Sequence, residues 1–160
     1  MELIEGDFGS YINSSIRRDA ASLYAKDKPT VKECITFRNF LMTEVAMCNS
    51  NRSGIWEFIN VSHITDEKTK MVNGEKQLQM PDLKTNKTLH LTFPENIYNA
   101  MMRYVEVHRS IPLRGGQSKV LMLNDGEKMN SCMLSRASMI LVNKSLEVSK
   151  HFTSAKICAA

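Results

Sequence analysis

The stretch TVKECITFRNFLMTEVAMCNSNRSGIWEFINVSHI, Thr30 to Ile64, decides how the chain is read. Thr30 followed three residues later by Glu33 is a capping box, and Pro29 just outside it keeps the preceding chain from running into the helix. The helix therefore starts near Val31. Cys34, Phe37, Leu41, Val45 and Cys48 recur at three- and four-residue steps, which predicts a helix that buries one face. The polar run Asn49-Ser50-Asn51-Arg52-Ser53-Gly54 ends that period and sets Arg52 on a corner before a second apolar run through Ile55, Trp56, Phe58 and Ile59. Two roles are open to Arg52. It can cap the carboxyl end of the helix or pair with Glu57, or its planar guanidinium can hold an anion bidentately.

Outward from that stretch the pattern predicts strands. Asn60 to Ile64 reads as the first, Asn73-Gly74 as a tight turn, and Lys76 to Met80 and Thr88 to Phe93 alternate as strands do. The expected fold is α+β, with helices on a small three-stranded antiparallel sheet. Pro94 and Glu95 open a helix with Ile97, Met101, Tyr104, Val105 and His108 on one face. Pro112, Gly115 and Gly116 break the loop from Ile111 to Ser118, and Asn124-Asp125-Gly126 turns the chain after the apolar Val120 to Leu123. A helix from Ser131 to Lys144 with Met133, Leu134, Ala137, Ile140 and Leu141 inward is expected next, and Lys150 to Ala160 reads as the start of another. At the amino end, Ile12 to Lys26 predicts a helix and Met1 to Ser10 a tail.

The 160 residues fit one ordinary domain, and a formal charge of +4 suits a polyanionic partner. No run approaches the roughly 18 apolar residues of a membrane span, and Met1 to Ser10 is not a signal peptide, so an intracellular protein without membrane association is expected. The four cysteines are widely spaced and read as reduced core thiols. The four histidines are scattered, no Cys-x-x-Cys occurs, and no glycine-rich phosphate loop is present, so neither metal nor small-molecule cofactor is expected. The eleven methionines fall mostly on the apolar faces and read as adaptable core filling.

The long helix, the Arg52 corner, the short apolar run and the strand after it resemble the first conserved box of the tyrosine recombinases, the phage-integrase-like proteins. Leu83-Lys84-Thr85-Asn86-Lys87 before Leu89-His90-Leu91-Thr92-Phe93-Pro94 is similar to that family's lysine-bearing hairpin, and Val120 to Met129 to the stretch before its next conserved helix. The closest flavour is the eukaryotic, transposon-derived branch, to which His151-Phe152-Thr153-Ser154 is also similar. The resemblance implies a connecting segment over residues 1–29 and a partial catalytic domain over 30–160, incomplete at its carboxyl end.

On this resemblance Arg52 would contact the scissile phosphate and Lys84 would protonate the leaving oxygen, with Lys87 its rival. Lys68, Lys70, Lys76, Lys84 and Lys87 together would line a sheet edge against the DNA backbone. In the stretch similar to the second box, Ala155 stands in the histidine place and Cys158 in the arginine place, and none of Tyr11, Tyr24, Tyr98 and Tyr104 takes the place of the nucleophile. The expectation is a truncated or degenerate recombinase that binds DNA without strand transfer of its own, nuclear if its source is eukaryotic. An alternative is an intracellular interaction scaffold with no DNA role, in which an exposed apolar patch from Met133 to Leu141 seeks a partner or self-associates. An active recombinase would need a partner chain to donate the missing box and tyrosine.

Overall fold

The computed structural model describes residues 8–49, 56, 59–65, 70–81, 88–109, 122–124 and 127–159. A helical turn at residues 8–12 leads into α1 (Ser15–Ser22), whose first turn is capped by Ser14 Oγ accepting from the Arg17 amide at 3.1 Å. A 3-10 turn (Leu23–Ala25) ends this arm. Phe8, Tyr11 and Ala20 enter the same hydrophobic core as the rest of the chain, so the tail expected for Met1 to Ser10 is packed structure from Phe8 onward.

The central element is α2 (Val31–Cys48), and its capping box forms as the sequence requires. Glu33 N–H donates to Thr30 Oγ1 at 3.2 Å, and Thr30 N–H donates back to Glu33 Oε1 at 3.0 Å. The expectation of one buried face is too narrow, because every residue from Phe37 to Ala46 is buried. The physical reason is that α2 is wrapped by α1, by the strand Thr88–Pro94, by the helical segments Glu95–Arg103 and Tyr104–His108 and by the helix Ser131–Ala159, so its polar face also leaves water and must be hydrogen-bonded. Thr43 Oγ1, fully buried, accordingly lies 2.8 Å from Asn39 O within α2 and 3.0 Å from Ser138 O across in the helix Ser131–Ala159, its one proton shared between the two carbonyls. Cys48, assigned to the buried face, is exposed, as is Cys132, while Cys34 is buried; all three are free thiols.

Asn60 to Ile64 is not a strand. Residues Val61–Thr65 form the short helix α3, and His63 Nδ1 accepts the Asn60 amide at 2.9 Å. That local side-chain bond favours a helical start over the extended state that β-branched Val61 and Ile64 suggest. The sheet follows it in the order β1 (Lys70–Val72), β2 (Glu75–Pro81), β3 (Thr88–Pro94), antiparallel throughout. The β1–β2 turn places Asn73 at φ 53° and Gly74 at φ 79°, the pair of positive angles that a two-residue hairpin turn of the right twist requires. Leu78 faces Leu91 and Lys76 faces Phe93 on the core side, and Gln79 pairs with exposed His90 on the other.

Pro94 caps α4 (Glu95–Arg103), which widens into a π turn (Tyr104–His108) closed by Arg109 N–H donating to Tyr104 O at 2.7 Å. After the two-residue strands β4 (Leu123–Asn124) and β5 (Glu127–Lys128), α5 (Ser131–Ala159) runs to the end of the described chain. The separate helix expected from Lys150 is a continuation of α5, since Ser145-Leu146-Glu147-Val148-Ser149 offers neither proline nor glycine to break it. Leu134, Ala137, Leu141 and Val142 are buried, and Met133 and Met139 pack against them. In place of the exposed apolar patch expected from Met133 to Leu141, Leu134, Ala137 and Leu141 are buried and Met133, Met139 and Ile140 are partly buried. No helix among the described residues is long and apolar enough to cross a membrane.

Candidate nucleic-acid interface

Arg52, Lys68, Lys84 and Lys87 lie outside the described residues, whereas Lys70 and Lys76 lie within them. The last described residue before the Arg52 corner is Asn49, and its carboxamide acts as a small piece of strand. Its Nδ2 donates to Val45 O at 2.9 Å and to Thr92 O at 2.8 Å, and its Oδ1 accepts from Thr92 N–H at 2.9 Å. One side chain thus satisfies an open carbonyl of the last turn of α2 and both backbone groups of a β3 residue. The end of α2 is fixed to the strand whose other end, at Thr88, leads back across the hairpin to Pro81.

Asn49→Ala removes all three bonds and lowers unfolding free energy by about 1–3 kcal/mol. Amide exchange reads the same event locally. The Thr92 N–H loses protection in the variant, and unchanged Thr92 exchange would contradict the assignment.

Lys70 sits in β1 opposite Gln77. Lys76 lies on the core side of β2, with Nζ 4.3 Å from the centroid of the Tyr98 ring. This is a cation–π contact, so Lys76 has a partner inside the protein. Tyr98 is itself held by its hydroxyl donating to Ile64 O at 3.3 Å.

Four charged or titratable residues, Arg38, Glu44, His108 and Arg109, are buried among the described residues, and of these only His108 was expected on a buried face. Arg38 and Arg109 are 5% and 8% exposed, and burial lowers both guanidinium pKa values from the ordinary one while the Tyr104 phenol acts in the opposite sense. Arg38 Nε and Nη2 donate to Asn39 Oδ1 at 3.2 and 2.9 Å. His108 is fully buried, its ring stacked on Phe37 at 4.1 Å between centroids. Its Nε2 lies 2.9 Å from Leu23 O and its Nδ1 3.5 Å from Arg103 O. A neutral imidazole carries one N–H, and the shorter contact takes it, so Nε2–H donates to Leu23 O.

Burial pushes the His108 pKa below the ordinary 6.5, with the two carbonyls opposing the shift and the Arg103 charge adding to it. The unfolded chain then binds the proton more readily than the folded one. The His108 contribution to stability is present above the ordinary histidine pKa and is lost as pH falls through the lowered value. Urea unfolding between pH 7 and pH 5 checks this: stability falls with acid in the natural chain, and His108→Gln flattens that slope. A slope unchanged in His108→Gln would contradict the assignment.

Among the described residues no three His, Cys, Asp or Glu side chains gather to hold a metal ion. No protein-family model, curated protein or solved structure matches the chain.

The polar run after α2 announces a corner, yet nothing in it shows that Asn49 would bond to a strand 43 residues away. Arg38 and Glu44 had a weak signal, being charged residues inside a helix otherwise rich in apolar side chains. His108 had none beyond its place on the buried face.

Proposed function

We propose that this chain is a DNA-binding protein built on a scaffold like that of a tyrosine-recombinase catalytic domain. It contacts the phosphate backbone and does not carry out strand transfer by itself. The observation that carries the reading is the Asn49–Thr92 lock, which ties the end of α2, three residues before Arg52 in the sequence, to β3, whose first residue Thr88 directly follows Lys87 in the sequence. The net charge of +4 supports the same partner.

Strand transfer is left out of the proposal because Ala155 and Cys158 stand where the family's second box has histidine and arginine. Neither side chain can donate to a phosphate oxygen as those do. The alternative, an interaction scaffold that uses an apolar surface between Met133 and Leu141, finds less support, because Leu134, Ala137 and Leu141 are buried and Met133, Met139 and Ile140 are partly buried.

Fluorescence anisotropy with a labelled duplex across a salt series tests the reading. Binding weakens steeply as salt rises, log K falling by about 0.9 per log unit of salt for each phosphate neutralised. Affinity that is flat in salt would mean apolar association instead and would overturn it.

A further inference from the structure

The geometry points to a binding site for an uncharged nucleobase in a cleft between α1, α2 and α4, independent of the phosphate contacts proposed above. The cleft encloses about 330 Å³, within the range of small-ligand sites. Its floor is apolar, formed by Phe40, Ile97 and Ala100, and its rim carries Tyr24, Asn96 and Asn99.

Four features select the ligand class. The first is an aromatic floor that belongs to a run of rings. Phe40 lies 5.8 Å from Phe37 at an interplanar angle of 23°, and Phe37 lies 4.1 Å from His108 at 27°. Phe40 is the member of that run that lines the cleft, and it gives a flat guest an aromatic surface to pack against. The second is the Tyr24 ring, 44% exposed at the rim. Its backbone is fixed from α4, because Arg103 Nε donates to Tyr24 O at 3.1 Å. An aromatic side chain at the rim of a cleft lined by Phe40 suits a planar ligand.

The third feature is the pair of carboxamides. Asn96 and Asn99 are three residues apart on α4 and therefore adjacent on its surface. Neither carboxamide forms a side-chain hydrogen bond to another described residue. Each offers one acceptor and two donors, the combination that matches the edge of a base and that a hydrocarbon or a fatty acid cannot use. The fourth is charge. Arg103, one turn beyond Asn99, is committed to Asp27 Oδ1 at 2.9 Å, and on α1 Arg17 is held by Glu44 and Arg18 by Asn13 O. A neutral ring with amide-like edges fits this setting better than a free anion.

The base can arrive as a free nucleoside or as a splayed base of a single strand. Titrating the full chain with the four nucleosides, followed through the side-chain amide resonances of Asn96 and Asn99 and, in the natural chain and variants alike, the Ala100 methyl resonance, tests the site. The expected result is a saturable shift of those resonances at millimolar nucleoside or below. The double substitution Asn96→Leu with Asn99→Leu weakens binding by at least about fivefold, and Ala21→Trp, which fills the cleft from α1, removes it. Both variants unfold at the natural temperature, since all three positions are exposed. A tetranucleotide that binds more tightly than its nucleosides supports the site with a strand as the source, and equal binding supports it with free nucleoside. Absence of any shift with all four nucleosides would overturn the proposal. So would toluene binding as tightly as adenosine, or unchanged binding in both variants.

Discussion

Replacing Glu44 with alanine lowers the free energy of unfolding by about 2–4 kcal/mol, seen as a lower urea midpoint at unchanged slope. Glu44 is 4% exposed and holds together the amino-terminal arm and the central helix. Its Oε1 accepts the Tyr11 hydroxyl at 3.0 Å and Arg17 Nε at 2.7 Å, and its Oε2 accepts Arg17 Nη2 at 2.9 Å. The guanidinium is thus gripped at two points, the strongest geometry for this pair. Removing the carboxylate strands a fully buried phenol, whose ionisation burial and Glu44 already oppose. The Arg17 side chain is 34% exposed and regains water, which keeps the loss below that of breaking a fully buried ion pair. Glu44→Gln retains one acceptor and recovers part of the loss. A change under about 1 kcal/mol in Glu44→Ala would mean that residues 8–22 do not depend on this anchor.

Phe37→Ala is the most damaging core substitution expected, at about 3–5 kcal/mol. The side chain is fully buried, and its ring sits against both Phe40 and His108. Removing it opens a cavity where α2 meets the π turn and also takes away the face on which the His108 ring rests. Stability measured with denaturant gives the size, and amide exchange at Arg109 gives the location, because its N–H closes the π turn onto Tyr104 O. Phe37→Leu, which keeps most of the volume, costs less than half as much. If Phe37→Ala and Phe37→Leu were equally destabilised, ring stacking and volume would not be what Phe37 supplies.

What the sequence made legible were features written in neighbouring residues. The Thr30–Glu33 box, the Asn73-Gly74 turn, the β2–β3 hairpin and the Pro94 start of α4 each depend on a few adjacent side chains, and each is found in the α+β structure. The features that escaped were set by distant partners. A three- and four-residue period shows one apolar face, but it cannot show that Arg38, Asn39, Thr43 and Glu44 on the other face are also covered. Asn60 to Ile64 has strand composition, and one imidazole-to-amide bond, His63 to Asn60, accompanies its helical form. The run from Lys144 to Lys150 looks polar enough to end a helix, yet polarity alone does not stop one. At the candidate interface the residue types could be read but not their environments. Lys76 reads as a surface cation and lies over Tyr98, and Asn49 reads as a turn residue and serves as the tie to β3.

The most direct test of the account is the salt dependence of duplex binding by the natural chain beside Arg52→Ala with Lys84→Ala, both checked for the same unfolding midpoint. The account predicts that the double variant binds more weakly on every sequence and that its log K against log salt slope is shallower by about 1.8, two phosphates at about 0.9 each. A natural chain that ignores DNA at low salt, or a folded double variant with the natural affinity and slope, would contradict it.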